Sequence, residues 1–161
     1  MDLTAGVGLA MLGAALAVGF PGYGSSIGIG YVGSTAAGLV SDEPEKFGKI
    51  LLLELLPGTQ GIYGFIAFAF ILMKVGLLGG TTGDATITLD QGWYFLFASL
   101  PIAIAGYGSA IGQGRVAAAG ISILAKKPEQ LSKAMLLAVM VETYAVFALL
   151  ATILLINAIQ V

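Results

Sequence analysis

Four long apolar stretches, separated by short polar breaks, make up most of the chain. They cover roughly residues 4–40, 46–76, 90–124 and 129–160. A helix crosses a hydrocarbon core of ~30 Å with about 20 apolar residues, and each stretch exceeds that length. Strands are a poor alternative, because only a closed barrel satisfies its backbone hydrogen bonds in lipid. The pattern predicts an all-α membrane protein with four transmembrane helices that tilt or project beyond the lipid.

The chain also matches itself at an offset of 84 residues. The run GYGSSIGIG at 22–30 aligns with GYGSAIGQG at 106–114, and Pro44 aligns with Pro128 in the same register. Long apolar helices produce chance matches of Leu and Ala, but not a run of Gly, Tyr and Ser. The chain is therefore predicted to contain two copies of one helical hairpin.

We place the first hairpin at residues 1–84 and the second at 85–161.

The first helix of each hairpin is rich in small residues. Gly24 and Gly28 lie four residues apart and have equivalents in the second hairpin. Such faces let helix backbones approach closely within a membrane. A phosphate-binding glycine loop would need a strand before the glycines, so nucleotide binding is not favoured.

Composition agrees with a membrane location. Hydrophobic residues make up 58% of the chain and charged residues 10%, against about 25% charged residues in a soluble domain. The chain has no Cys and no His, which excludes disulfides and thiolate or imidazole metal sites. The net charge of −2 indicates no nucleic-acid partner. The first residues lack the basic segment of a signal peptide, so we expect the first stretch to be a retained helix.

Basic residues are concentrated in the breaks within the two hairpins. The break at 41–49 carries two lysines and the break at 125–133 carries three, whereas Lys74 lies near the opposite side. Lys and Arg are enriched in cytoplasmic loops. We therefore expect a multi-pass protein of the cell membrane with both hairpin loops cytoplasmic and both termini outside.

The two hairpins differ at a position that matters for chemistry. Glu142 in the second hairpin aligns with Gly58 in the first. An ionised carboxylate in mid-bilayer costs several kcal/mol unless it is paired, protonated or hydrated, and such residues mark ion pathways. We assign no Lys or Arg to this depth, because Arg115 is expected to extend toward the loop side. The partner of Glu142 is then a proton, a free cation or neutral polar groups.

Neutral polar groups are predicted at the same depth. Counted from the loops at 1.5 Å per residue, Thr59, Gln60, Gln113 and Glu142 lie roughly 20–22 Å into the membrane. Taken singly, Thr59 and Gln60 would more often form helix–helix hydrogen bonds than bind an ion. Their convergence at the level of Glu142 indicates a common site.

One helical face brings further groups to this level. Leu56, Thr59, Gln60 and Tyr63 follow the spacing i, i+3, i+4, i+7, and Pro57 weakens the backbone ladder and frees carbonyls beside them. Five oxygens with one negative charge suit a monovalent cation, whereas a proton needs only the carboxylate. The pattern thus favours Na⁺ over H⁺, with the Tyr63 hydroxyl available to donate to the carboxylate.

Glu54 is a second acid within an apolar stretch. At 100° per residue it points nearly opposite the face that holds Thr59 and Tyr63, and it lies about five residues nearer the loop. We predict an interfacial or packing role for it, not ligation.

Three segments carry a resemblance to a known family: LLPGTQGIYG at 55–64, GQGRVAAAG at 112–120 and MVETY at 140–144. They resemble the K (proteolipid, c-ring rotor) subunit of bacterial sodium-transporting V-type ATPases, and the resemblance covers essentially the whole chain. It implies a homo-oligomeric rotor ring in membrane lipid. A central stalk at the cytoplasmic loops would turn the ring against a stator subunit that carries an essential Arg.

The resemblance also implies a set of Na⁺ ligands. These would be the Leu56 carbonyl, Thr59, Gln60, Gln113 and Glu142, with Tyr63 hydrogen-bonded to the carboxylate. At position 54 the family is expected to have an amide, so Glu54 departs from it and keeps H⁺ as the alternative cargo. ATP hydrolysis would occur on other subunits, and this chain would not be an enzyme.

Two rival functions remain from the sequence. One is a proton-translocating ring of the same family, and the other is a four-helix channel or scaffold without transport coupling. A catalytic function has almost no support, because no nucleophile–base pair is visible.

Overall fold

The computed structural model describes residues 4–79 and 87–161, and this part of the chain is helical without strands. Within it, four helical spans are long and apolar enough to cross a membrane, which confirms the predicted architecture. The boundary predicted between residues 84 and 85 lies outside the described residues. The helices are α1 (Ala5–Asp42), α2 (Phe47–Leu55), α3 (Thr59–Lys74), α4 (Leu89–Lys126) and α5 (Leu131–Ala158).

The centre of the fold is the contact between α1 and α4, the two Gly-rich helices. Each has 38 residues, about 57 Å at 1.5 Å per residue. A Cβ added to Gly24 would lie 2.7 Å from the Tyr107 carbonyl oxygen, and one added to Gly28 would lie 2.5 Å from that of Ala110. Only glycine permits this approach of the two backbones, as expected for small-residue packing in membranes.

The bulkier helices flank this pair. The segment formed by α2 and α3 packs mainly on α1, α5 packs on α4, and α3 also contacts α4 and α5. The outward faces of these flanking helices are apolar: Ile62, Phe65, Leu136 and Phe147 are all exposed. An apolar surface of this extent is suited to lipid and not to water.

The second span is interrupted where Pro57 lies. A single 3₁₀ turn, Leu56–Gly58, separates α2 from α3, because proline has no N–H to continue the helical ladder. The Gly61 N–H donates to Ser25 Oγ of α1 at 2.9 Å, which fixes the start of α3 against α1. By contrast, Pro21 and Pro101 lie within uninterrupted helices.

A lysine ties the first hairpin loop to the end of α4. Lys46 is buried, and its Nζ donates to the Ala125 carbonyl at 3.0 Å and pairs with Glu43 at 2.7 Å. A cation is favoured at the C-terminal end of a helix, where carbonyls are left without intrahelical partners. Lys46 therefore connects the two hairpins at the loop side.

The close contact of α1 with α4 predicts that Gly28→Leu disrupts hairpin packing. The side chain would meet the Ala110 carbonyl and the Pro57 ring, and overpacking of this kind costs about 1–3 kcal/mol or more. Thermal unfolding of the detergent-solubilised chain, followed by circular dichroism, should show a lower midpoint than in the wild type. Gly38→Leu is the matched control, because an added Cβ there meets nothing within 4 Å. Equal midpoints for both variants would contradict the prediction.

Candidate functional site

Glu142 lies on α5, and both of its carboxylate oxygens accept hydrogen bonds. Oε1 accepts from the Tyr63 hydroxyl of α3, and Oε2 accepts from Gln113 Nε2 of α4 at 3.3 Å. The Glu142 side chain is partly buried. One donor comes from each hairpin, so the position of the carboxylate depends on how the hairpins pack against each other.

Two buried amides extend the network away from Glu142. Gln60 and Gln113 are both 0% exposed, and Gln60 Nε2 donates to Gln113 Oε1 at 2.6 Å. Gln60 Nε2 also lies 3.2 Å from Ser109 Oγ. Buried polar groups need such partners, because an unpaired one costs about 1–3 kcal/mol.

Thr59 and Leu56 complete the group at the interruption of the second span. The Thr59 hydroxyl donates to the Leu56 carbonyl at 2.9 Å and lies 3.4 Å from Gln60 Oε1. The structure thus brings together all six residues predicted from the sequence. The connected set is Leu56, Thr59, Gln60, Tyr63, Gln113 and Glu142.

Ser109 belongs to this network but was missed from the sequence. It is buried, accepts from Gln60 and donates to the Val141 carbonyl at 3.0 Å, next to Glu142. A signal was available: Ser109 is the repeat equivalent of Ser25, which also bonds the flanking helix of its own hairpin, and it precedes Gln113 by one helical turn.

Glu54 and Arg115 lie apart from the network. Glu54 is partly buried against α1, where a Cβ added to Gly33 would lie 2.8 Å from its Oε1. Arg115 is exposed, with its guanidinium carbon 5.7 Å from the centre of the Tyr31 ring. Within the described residues, the ion pair that forms is Lys46–Glu43. Glu142 therefore has no cationic side chain as a partner in this part of the chain.

The chemistry of the group is that of oxygen ligands with one formal charge. Among residues 4–79 and 87–161, no cluster of three His, Cys, Asp or Glu side chains converges. A hydroxyl, two amides, a backbone carbonyl and a carboxylate are hard donors, the type that binds alkali and alkaline-earth cations. The arrangement is suited to a proton or a small monovalent cation.

Comparison with known proteins gives a consistent picture. The family model for the C subunit of ATP synthase matches residues 12–72 and 96–155. The chain is 48% identical to the K subunit of the V-type sodium ATPase of Enterococcus hirae, over 94% of this chain and 92% of that protein. It is 40% identical to the K subunit of the A-type ATP synthase of Methanocaldococcus jannaschii, over 91% of this chain and 61% of that protein. It is 27% identical to the 16 kDa proteolipid subunit c of the V-type proton ATPase of Ascaris suum, over 89% of this chain and 86% of that protein.

The network predicts that Ser109→Ala destabilises the helix packing around the site. The change removes a partner from the buried Gln60 amide, at a cost of about 1–3 kcal/mol. Denaturant or thermal unfolding in detergent measures the loss. Ser34→Ala is the control, because the exposed Ser34 hydroxyl bonds only a carbonyl of its own helix, and we expect a change within about 0.5 kcal/mol. Equal effects of the two substitutions would argue against a structural role for Ser109.

Proposed function

The chain belongs to the family of the ATP synthase C subunit, and on this basis we propose that it is the rotor-ring subunit of a V-type ATPase that carries Na⁺ across the membrane during ATP-driven rotation. The observation that carries the proposal is the network around Glu142. A single carboxylate within an apolar span is surrounded by neutral oxygens and has no cationic side-chain partner in the described residues. A bound cation would supply the missing charge.

The proposed cation ligands are the oxygens of the connected network. They are the Leu56 carbonyl, Thr59, Gln60, Gln113 and Glu142, with Tyr63 holding the carboxylate in position. The short contacts between these groups support the assignment, because side chains a few ångströms apart need only small rotations to surround one ion. The higher identity to the sodium-named relative than to the proton-named one also favours Na⁺ over H⁺.

The mechanism follows from the cost of burying charge. With Na⁺ bound, the Glu142 site is neutral and can face lipid, whereas the bare carboxylate would cost several kcal/mol. Rotation therefore carries loaded sites through lipid. A stator Arg would release the ion where the ring meets the stator, since opposite charges pair strongly in a low dielectric.

The same proposal covers orientation and energetics. The hairpin loops face the cytoplasm and contact the central stalk, both termini lie outside, and other subunits hydrolyse ATP. Because Gly58 replaces the carboxylate in the first hairpin, each chain of two hairpins carries one ion. More free energy of ATP hydrolysis is then available per ion, which favours pumping over ATP synthesis.

The proposal predicts that Na⁺ protects Glu142 from carbodiimide. At neutral pH, millimolar sodium should slow labelling of Glu142 in the purified ring, and potassium should not. Thr59→Ala should raise the sodium concentration that gives half-protection about tenfold. This corresponds to a loss of about 1.4 kcal/mol in the free energy of sodium binding.

Thr143→Ala is the matched control for this experiment. Thr143 is the repeat equivalent of Thr59 and bonds the Met140 carbonyl at 2.9 Å in the same way, but it is absent from the Glu142 network. For this variant, the sodium concentration that gives half-protection should equal that of the wild type. Labelling that is indifferent to sodium would refute Na⁺ as the cargo and favour the proton-translocating ring.

A second prediction concerns transport. Glu142→Gln removes the charge that attracts the cation, so rings should assemble into the complete ATPase but fail in ATP-driven uptake of radioactive sodium by proteoliposomes. The purified wild-type ring, without its partners, should hydrolyse no ATP. Sodium uptake that survives the substitution would favour the channel or scaffold alternative, and ATP turnover by the ring alone would reject a non-catalytic subunit.

A further inference from the structure

Ser109 on α4 contacts both flanking helices next to Glu142. Its hydroxyl donates to the Val141 carbonyl of α5 at 3.0 Å and accepts from Gln60 Nε2 of α3 at 3.2 Å. The Ser109 side chain is buried. A hydroxyl has a single hydrogen. Because that hydrogen is directed to Val141, Ser109 can only accept a hydrogen bond from Gln60 and cannot donate one to it.

The Gln60 amide has both of its hydrogens occupied by these partners on α4. Nε2 donates to Ser109 Oγ and, at 2.6 Å, to Gln113 Oε1. An amide carries its two donors on the nitrogen and its acceptor on the oxygen. With the nitrogen directed to α4, Gln60 Oε1 lies 3.4 Å from the Thr59 hydroxyl, which itself bonds the Leu56 carbonyl. The amide oxygen of Gln60 therefore lies with the other oxygens at the interruption of the second span.

A half-turn of the Gln60 amide would reverse this arrangement at a cost. Oε1 would then lie against Ser109 Oγ, which has no hydrogen left to donate, and against Gln113 Oε1. Gln113 could adapt only by turning its own oxygen toward Glu142, whose Oε2 accepts from Gln113 Nε2 in the structure. Buried polar atoms without partners destabilise a protein, so the observed orientation of the Gln60 amide is favoured.

The two ends of this hydrogen-bond series fix the orientation by different means. At one end, Gln113 donates to the Glu142 carboxylate. A carboxylate that takes up a proton becomes a donor, so this end of the series can reverse. At the other end, Ser109 donates to a backbone carbonyl, which remains an acceptor under all conditions. Ser109 therefore fixes the Gln60 amide whatever the charge of Glu142.

A second serine holds the backbone of the same segment. Ser25 is the repeat equivalent of Ser109, and its hydroxyl accepts from the Gly61 N–H at 2.9 Å. The backbone beside Gln60 is thus fixed by α1 and the Gln60 side chain by α4. Of the two serines, only Ser109 contacts the amide.

We propose that Ser109 is a positioning residue for cation binding, which fixes the Gln60 amide so that its oxygen, and not its nitrogen, is presented to the ion. An amide N–H directed at a cation would repel it, so the reversed orientation both removes a ligand and adds a repulsive dipole. The inference rests on the proposed function for the ion, Na⁺, but not for the orientation of the amide.

Carbodiimide labelling of Glu142 in the purified ring measures the effect on sodium binding. Ser109→Ala should raise the sodium concentration that gives half-protection about fivefold, because the amide loses the bond that disfavours its reversed orientation. An unchanged concentration in this variant would contradict the proposal.

Ser99→Ala is the matched control for this measurement. Ser99 is a 0% exposed serine of the same helix, and its hydroxyl bonds the Leu96 carbonyl of that helix at 2.6 Å. Its removal should leave the half-protection concentration within about twofold of the wild type. Equal shifts in the Ser99 and Ser109 variants would overturn the proposal.

A double-mutant cycle separates the orientation of Gln60 from a role in holding α5. Gln60→Met removes the amide at similar side-chain length. If Ser109 acts through Gln60, adding Ser109→Ala to Gln60→Met should change the half-protection concentration by less than about twofold. If Ser109 acts only through its bond to Val141, the full effect should persist in the Gln60→Met background, and the proposal falls.

Solid-state NMR follows the amide itself and needs no sodium. In rings that carry isotope-labelled glutamine in lipid, the Gln60 side-chain signal is the one that is missing from Gln60→Met. Ser109→Ala should shift at least one of its two amide protons upfield, because that proton loses its hydrogen bond, whereas Ser99→Ala should shift neither. Unchanged proton shifts in Ser109→Ala would reject the role of Ser109.

These outcomes are separable from those of the proposed function. Wild-type labelling that is indifferent to sodium would reject the cargo, while the NMR comparison would still decide whether Ser109 orients Gln60. Sodium protection of the wild type with the same half-protection concentration in Ser109→Ala would keep the cargo and reject the role of Ser109.

Discussion

Burial of the Glu142 carboxylate is the constraint on which the structure depends. A lone charge in hydrocarbon costs several kcal/mol, and the chain surrounds it with donors from α3 and α4. Those donors converge only if the two hairpins pack closely and in register. The Gly contacts between α1 and α4 provide this approach, so the small-residue faces and the polar network are two parts of one requirement.

The interruption at Pro57 serves the same requirement. A regular helix satisfies its carbonyls internally and offers few oxygens to a ligand. The turn at Leu56–Gly58 keeps the span at membrane length while Thr59 and the Leu56 carbonyl lie next to Gln60. Hydrogen bonds within a helix do not fix its position relative to its neighbours. The bond between Gly61 and Ser25 fixes α3 against α1, and the bond between Ser109 and Val141 fixes α5 against α4.

Much of this could be predicted from the sequence, because membrane helices are long and their rise per residue is fixed. Hydropathy gives the spans, and counting from the loops gives a common depth for Thr59, Gln60, Gln113 and Glu142. Depth does not give the angular position of neighbouring helices, so the direct Gln60–Gln113 contact and the hydrogen-bond partners of Ser109 required the structure. The Lys46 contact with Ala125 depends on how two loops meet, which no periodicity encodes.

The duplication explains why two hairpins with the same packing need not carry the same chemistry. Backbone contacts between Gly-rich helices depend on side chains being small, and both hairpins retain them. The polar network depends on a few side chains. The first hairpin has Gly58 and Ile29 at the positions equivalent to Glu142 and Gln113, and it keeps the small residues through which α1 packs on α4. A hairpin without a buried charge also avoids the cost of desolvating one. Packing is therefore retained through the repeat, while the polar network is built at one of the two equivalent positions and leaves the way in which the hairpins pack unchanged.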